Sequence, residues 1–185
     1  IVLLHGCCHN PTGADLDITQ WTEIAKLIAV RGLVPLIDFA YQGFGRGFSP
    51  DAAGIGVVLE HIGEALIAYS CDKNFGLYRE RTGALFAVAQ DALAAECVYS
   101  NMLSAARANW SMPPDHGAAV VRLILESKDL TDDWRSELEG MHRRVVTTRQ
   151  QLAAADELLA PLVRQHGMFS MLPIDALPAR GSSCR

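Results

Sequence analysis

An α/β fold is predicted by three features of this 185-residue sequence. Short apolar runs alternate with segments of helical periodicity, which is the pattern of a sheet that helices cover on both faces. The runs are continuous rather than alternating in polarity, as expected for strands that are buried on both sides. Polar residues follow three of the runs directly, and open α/β sheets bind their ligands beyond the carboxyl ends of the strands. The sequence therefore predicts one site at that edge of the sheet.

Four apolar runs are the predicted strands. They are short and end in polar or turn-forming residues, and they lie at residues 1–4, 33–37, 65–69 and 84–89. Between the first two runs, residues 17–30 repeat apolar side chains at helical spacing. Asp17 or Thr19 is the expected cap of that helix, and Gly32 lies just past its end. The remaining predicted helices lie at residues 51–61, 91–107, 113–126 and 130–155.

Composition argues against several classes of function. The net charge of −5 offers no basic surface for nucleic acid. No apolar run is long enough to cross a membrane. The five cysteines are irregularly spaced, which predicts neither a disulfide framework nor a zinc site. A reducing cytoplasm is the expected location.

Lys73 is the candidate for chemistry among the three lysines, Lys26, Lys73 and Lys128. It follows an apolar run and precedes Asn-Phe-Gly, whereas the other two fall in predicted helices. An amine that forms a covalent bond with a carbonyl compound must first lose its proton, and partial burial favours that loss. The plain alternative is a surface lysine in a loop.

Five segments decide between these interpretations, because they resemble segments of the class I pyridoxal-phosphate aminotransferases in the same order. The aspartate and aromatic-amino-acid aminotransferases are the most similar subgroup. The segments span almost the whole chain, and they are Cys8-His9-Asn10-Pro11-Thr12-Gly13, Asp38-Phe39-Ala40-Tyr41, residues 70–81, residues 107–117 and Gly167-Met168-Phe169-Ser170. The resemblance implies a fold-type-I architecture. Residues 1–135 would form part of the large cofactor-binding domain, and residues 136–185 the start of the small domain, with a non-matching tail from about residue 171.

The resemblance also implies roles for the residues around the cofactor ring. Lys73 would be the Schiff-base lysine of pyridoxal 5′-phosphate. Asp38 would pair with the pyridinium nitrogen and keep it protonated. Tyr41 and Asn10 would hydrogen-bond the phenolic oxygen of the cofactor. Taken alone, Asp38 could equally be a cap or turn residue, and Asn10 an Asn-Pro turn former.

Two further positions would bind anions. Ser70 and Arg81 would bind the cofactor phosphate, although Arg81 could instead form a surface ion pair with Glu80 or Asp72. Arg107 would reach a neighbouring subunit and bind the distal carboxylate of a dicarboxylate substrate, or it could simply be solvated near a helix end. No residue is expected to bind a metal.

One residue departs from the family pattern. Asp72 stands where the family has a serine directly before the lysine. A carboxylate next to a phosphate site is unfavourable, and Asp72 could instead form an ion pair with Lys73. Family segments that belong before Ile1 and after Ser170 have no match, so we expect a fragment that lacks the N-terminal part and the C-terminal end.

The implied function is the transfer of an amino group between an amino acid, aspartate or aromatic, and a 2-oxo acid. The expected cofactor is pyridoxal 5′-phosphate, and the full-length family implies a homodimer. One alternative is a truncated, non-catalytic remnant of that family. Another is a protein that binds phosphorylated small molecules through Arg81 and Ser70 without chemistry.

Overall fold

The computed structural model describes residues 1–172, and within them four strands form a single sheet. The strands occur along the sheet in chain order and are β1 (Val2–His5), β2 (Pro35–Phe39), β3 (Ala65–Ser70) and β4 (Gly83–Val88). β2 pairs in parallel with both β1 and β3, whereas β4 runs antiparallel to β3. The predicted α/β class is confirmed.

The described residues also form five α-helices: α1 (Ile18–Arg31), α2 (Ala53–His61), α3 (Ala92–Trp110), α4 (His116–Glu126) and α5 (Lys128–Ala155). A 3₁₀ turn at Pro50–Ala52 precedes α2, and a 3₁₀ segment at Glu157–Arg164 follows α5. The sequence pattern does not predict the second 3₁₀ segment, which contains Pro161. None of the helices within residues 1–172 has the length and apolar character needed to cross a membrane.

The crossover helix α1 shows how local sequence sets an element. The Asp17 carboxylate accepts a hydrogen bond from the Gln20 backbone N–H, and the Gln20 side chain accepts one from the Asp17 N–H. This reciprocal pair satisfies two helix-end donors, so Asp17 and not Thr19 is the cap. Gly32 ends the helix in the left-handed conformation, with φ of 59°.

Close packing of α2 on α1 depends on Gly54. A Cβ atom at that position would lie 2.3 Å from the Trp21 ring, which no real contact allows. Trp21 is 4% exposed and belongs to the core formed with Ile37, Phe39 and Val58. The two helices therefore pack together against the core side chains of the central strand β2.

The expectation that the strands are buried on both sides is wrong at the edges of the sheet. Ile37 in β2 is fully buried, but Leu3 in β1 is 62% exposed and Phe86 in β4 is 52% exposed. β1 and β4 are the outer strands of the described sheet, so each has only one neighbouring strand. α3 contributes no buried residue either.

The glycine-rich loop after β2 is held by one buried carboxylate. Asp51 accepts hydrogen bonds from the backbone N–H groups of Gly43, Gly45 and Arg46 at 2.8, 3.0 and 2.6 Å. Asp51 is 5% exposed, so these donors satisfy a charge that water does not reach. The carboxylate thereby fixes the loop that follows Tyr41.

Replacing Asp51 is expected to destabilise the chain strongly. Asp51→Ala leaves buried N–H groups without an acceptor, and we expect a loss of about 3 kcal/mol in the free energy of unfolding. Urea unfolding followed by circular dichroism measures this loss. Asp133→Ala removes an exposed carboxylate from α5 and serves as the control, for which we expect a change within about 0.5 kcal/mol. Equal losses in the two variants would contradict the role assigned to Asp51.

Candidate active site

Three loops meet at the carboxyl edge of the parallel strands. β1, β2 and β3 end at His5, Phe39 and Ser70, and the loops that follow carry Asn10, Tyr41 and Lys73 respectively. Parallel pairing places these strand ends at the same edge of the sheet. Because β4 is antiparallel and Gly83 pairs with Ser70, Arg81 also lies at that edge.

Lys73, Tyr41 and Asn10 come together there. The Lys73 Nζ atom lies 4.9 Å from the centroid of the Tyr41 ring, within the range of a cation–π contact. The Asn10 amide donates a hydrogen bond to the Tyr41 hydroxyl at 3.3 Å. Tyr41 is buried and Lys73 half-buried, whereas Asn10 is exposed. An amine, a phenol and an amide thus form one polar cluster on a buried aromatic ring.

Asp38 lies within β2 rather than directly after it. The apolar run ends at residue 37, but the strand continues to Phe39 because both neighbouring strands pair with it. Asp38 lies opposite His5 on one side and Ala68 on the other, and its carbonyl accepts from the Gly6 N–H at 2.8 Å. The half-buried carboxylate is therefore carried by a backbone held on both sides.

Arg81 and Ser70 are both engaged by Asp72. Arg81 Nη1 donates to Asp72 Oδ2 at 2.5 Å and to the Tyr78 carbonyl at 3.0 Å. The Ser70 hydroxyl oxygen accepts from the Asp72 backbone N–H at 3.2 Å. The structure thus shows the alternative of an ion pair between Arg81 and Asp72, and not the ion pair with Lys73 that Asp72 could also have formed. Lys73 contacts the Tyr41 ring instead.

Arg107 is separate from this cluster. It lies in the last turn of α3, and its side chain is exposed. Within residues 1–172 its guanidinium makes no hydrogen bond or ion pair. The structure of one chain therefore brings Lys73, Tyr41 and Asn10 together, places Ser70 with Arg81, and leaves Arg107 apart.

A buried polar network beside Lys73 was not predicted from the sequence. Asn74 is 1% exposed, and its amide donates to the Tyr69 hydroxyl at 2.6 Å. Tyr69 in turn donates to the Gln42 side chain at 3.0 Å, and Trp134 Nε1 donates to the Asn74 carbonyl at 2.7 Å. These bonds tie the backbone next to Lys73 to β3, to the loop after β2 and to α5. Adjacency to Lys73 was the only signal in the sequence.

Burial also changes the acidity of Tyr69. Removal from water raises the pKa of Tyr69 to about 12, although the hydrogen bond from Asn74 acts in the opposite direction. The neutral phenol is therefore the stable form across the neutral range.

Arg149 is a further buried polar residue whose role was not predicted from the sequence. It is buried in α5 and donates to the carbonyls of Gly167 and Phe169 at 2.5 and 2.8 Å and to the Ser170 hydroxyl at 3.1 Å. Burial lowers the pKa of Arg149. These bonds hold Phe169 edge-on against Tyr41, with 6.1 Å between ring centroids. No feature of the sequence separates Arg149 from the exposed arginines of the same helix.

Two cysteines and a carboxylate form a buried group in which Asp51 also binds the loop after β2. Ligand atoms of Cys7, Cys8 and Asp51 lie within 4.8 Å of one another. A hydrogen bond with Cys8 and burial raise the pKa of Cys7, so its thiol stays protonated. The oxygens of Asp51 already accept three backbone N–H groups, which leaves the group poorly suited to bind a metal ion. Cys71 and Cys97 are also free thiols, and Cys184 lies outside the described residues.

A model of the family "Aminotransferase class I and II" matches residues 1–182 of the sequence. This chain belongs to that aminotransferase family. The resemblance inferred from five segments is therefore confirmed. The matched range includes part of the predicted tail, and the predicted domain boundary after residue 135 falls inside α5, so both divisions of the chain stay predictions.

Curated relatives and solved structures agree with this family. The chain is 53% identical to a tyrosine aminotransferase of Rhizobium meliloti over 94% of its own length and 46% of that protein. It is 45% identical to an aspartate aminotransferase of Salmonella typhi over 92% of its length and 44% of that protein. An aromatic amino acid aminotransferase solved with 3-indolebutyric acid superposes with a TM-score of 0.88 at 46% identity, over 91% of this chain and 44% of the other.

A second solved structure bears on the cofactor. It is an aromatic-amino-acid aminotransferase from Burkholderia pseudomallei, described as covalently bound to pyridoxal phosphate. It superposes with a TM-score of 0.87 at 37% identity, over 91% of this chain and 44% of the other. The chain thus spans less than half of the length of the relatives it matches, as the expectation of partial coverage requires.

The acidity of Tyr69 predicts a loss of stability in alkali. Unfolded tyrosine ionises near pH 10, and folded Tyr69 near pH 12, so folding holds a proton that the unfolded chain has released. This contribution is complete below about pH 10 and falls by about 1.4 kcal/mol per pH unit as the pH rises towards 12. Urea midpoints between pH 8 and 11.5 are expected to fall less steeply in Tyr69→Phe than in the parent chain. Tyr78→Phe, which changes a tyrosine that is 49% exposed, should follow the parent; a slope unchanged by Tyr69→Phe would contradict the assignment.

Loss of Arg149 is expected to loosen the Gly167–Ser170 segment. Arg149→Met removes charge-assisted hydrogen bonds to two carbonyls, and we expect a loss of about 2 kcal/mol with faster amide exchange at residues 167–170. Hydrogen exchange read by mass spectrometry measures the second effect. Arg144→Met changes an exposed residue of the same helix and should leave both readouts near those of the parent. If the two variants exchange alike at residues 167–170, Arg149 does not hold that segment.

Proposed function

We propose that this chain carries the cofactor-binding part of an aminotransferase that uses pyridoxal 5′-phosphate to move an amino group between an amino acid and a 2-oxo acid. The observation that carries the proposal is the position of the Lys73 amine over the buried Tyr41 ring. The Tyr41 hydroxyl accepts a hydrogen bond from Asn10, so a nucleophilic amine lies beside groups that bind a phenolic oxygen.

The residues at the ring end of the site fit that cofactor. The Asp38 carboxylate suits a protonated ring nitrogen, and the Asn10 amide and Tyr41 hydroxyl suit a phenolate oxygen. The solved relative described as covalently bound to pyridoxal phosphate supports the same assignment. When bound, this cofactor withdraws electrons from the substrate carbon that loses a proton. At the other end of the site, Asp72 already occupies Arg81, the residue expected to bind the phosphate.

Each residue of the ring end then has a defined task. Lys73 Nζ would hold the cofactor aldehyde covalently and, once released, would take up and return the proton of the substrate. The Tyr41 ring, fixed between the loop after β2 and Phe169, would keep the lysine amine in place. Asp38 sits on a strand paired on both sides, which limits its movement relative to the ring nitrogen.

The proposed substrates are aspartate or aromatic amino acids with their 2-oxo acids. Relatives named tyrosine aminotransferase and aspartate aminotransferase support both classes. Because Arg107 is exposed and separate from the Lys73 cluster, we place it in the site of a second subunit of a homodimer, where it would bind a distal carboxylate. A cytoplasmic location is part of this proposal, and the free thiols of Cys7, Cys8 and Cys71 agree with a reducing compartment.

A non-catalytic member of the family is the second candidate. It is favoured by the contact between Asp72 and Arg81, because this contact already occupies the residue expected to bind the phosphate. The same contact weakens the third idea, a binder of phosphorylated molecules through Arg81 and Ser70. Covalent capture of the cofactor at Lys73 separates the proposed function from the second candidate.

Covalent trapping tests the proposal on the whole 185-residue chain. After incubation with pyridoxal 5′-phosphate and reduction with borohydride, peptide mapping is expected to find the label on Lys73. The amine over the Tyr41 ring is the one that the site presents to an aldehyde. Lys73→Ala should lose at least nine-tenths of the label, and Lys26→Ala, which removes a lysine from α1, should lose none.

Two results would count against this function. Label spread equally over Lys26, Lys73 and Lys128 would show that the chain reacts as an unstructured amine source. Full labelling of the Lys73→Ala variant would place the reactive amine elsewhere. Either result would favour the non-catalytic candidate.

A further inference from the structure

Asp72 brings a buried negative charge to the end of the site that contains Ser70 and Arg81, which we call the anion end. Its side chain is 7% exposed, whereas that of its partner Arg81 is 74% exposed. The carboxylate therefore lies inside and the guanidinium covers it from the solvent side. A carboxylate in that position needs a cationic partner, and Arg81 supplies it at 2.5 Å.

The second oxygen of Asp72 has no partner. Asp72 Oδ1 is buried, and no atom of residues 1–172 hydrogen-bonds to it. Only one end of the carboxylate is thus satisfied, so the charge is incompletely compensated within the site. The Ser70 hydroxyl, which lies close by, accepts from the Asp72 backbone N–H.

A phosphate group that entered this end would meet an anion already in place. It would have to share Arg81 with Asp72, because the guanidinium is the group that a phosphate binds through two parallel hydrogen bonds. The two anions would lie on the same cation, where repulsion between like charges opposes binding. A like charge placed where a ligand would bind is one way in which a protein discriminates against that ligand.

We propose that Asp72 is a specificity-determining residue that opposes binding of a phosphate group at this end of the site, so that the chain holds pyridoxal 5′-phosphate less tightly than it would with an uncharged residue at position 72. The inference rests on the proposed function, because it concerns the ligand that Lys73 would hold. It assigns to Asp72 the role of a fixed internal anion in place of the phosphate. The ring end of the site, with Asn10, Tyr41 and Asp38, is the same for both ligands.

Binding of two matched ligands tests the inference. Dissociation constants of pyridoxal 5′-phosphate and pyridoxal are measured on the full chain by quenching of tryptophan fluorescence. Asp72→Asn keeps the shape of the side chain and removes its charge, and Asp72→Ser restores the residue of the family pattern. Both variants are expected to bind pyridoxal 5′-phosphate at least tenfold more tightly than the parent chain and pyridoxal within twofold of it. Asp133→Asn makes the same change of charge at an exposed position and should alter neither constant.

Arg81 supplies the internal check. In the parent chain Arg81→Gln should change the affinity for pyridoxal 5′-phosphate by less than threefold, since Asp72 already occupies the guanidinium. In the Asp72→Ser background the same change should remove the gain in affinity. Equal effects of Arg81→Gln in the two backgrounds would contradict the inference.

Inorganic phosphate separates failure of this inference from failure of the proposed function. In phosphate, the melting temperature of both Asp72 variants should rise relative to that in chloride of the same ionic strength, because a ligand that binds the folded state stabilises it, and that of the parent should not. If Lys73 is not labelled by either ligand in any variant, the proposed function is wrong, and the phosphate result alone then decides the role of Asp72. The inference is overturned if phosphate stabilises the parent as much as the variants, if it stabilises none of them, or if only Asp72→Ser and not Asp72→Asn gains affinity.

Discussion

Parallel hydrogen bonding between β1, β2 and β3 is the constraint on which the site depends. It brings the carboxyl ends of three strands to one edge, so that loops far apart in the chain deliver Asn10, Tyr41 and Lys73 to one place. The pairing is stabilised from both sides of the central strand, where Ile37 is fully buried. Asn10 and Tyr41 are 31 positions apart in the sequence, so only the pairing of the strands brings them into contact.

Two buried charged side chains, Asp51 and Arg149, hold the loop segments on either side of Tyr41. Asp51 binds three N–H groups of the loop after β2, and Arg149 binds two carbonyls of the Gly167–Ser170 segment. Each is a charged side chain satisfied largely by backbone, which converts an irregular loop into a fixed support. Tyr41 is held between the two supports, and Lys73 rests on Tyr41. The position of the amine is thus a consequence of interactions that take no part in chemistry.

The two ends of the site differ in character. At one end, the structure brings Lys73, Tyr41 and Asn10 together, and the proposal gives these residues the cofactor ring. At the anion end, the contact between Asp72 and Arg81 replaces the contact expected with a phosphate. One solved relative is described as covalently bound to pyridoxal phosphate. Because Asp72 already pairs with Arg81, membership of the family does not by itself decide what this chain holds.

The sequence alone determined the α/β class, the order of the elements and the family, because apolar periodicity and ordered motifs are local properties of the chain. It did not determine where β2 ends, since pairing on both sides extends the strand through Asp38. Nor could it choose the partner of Asp72, or single out Arg149 among the arginines of α5. Those outcomes depend on which distant groups share a buried space, and only the tertiary structure decides that, because the cost of leaving a buried charge unpaired arises only once water has been excluded.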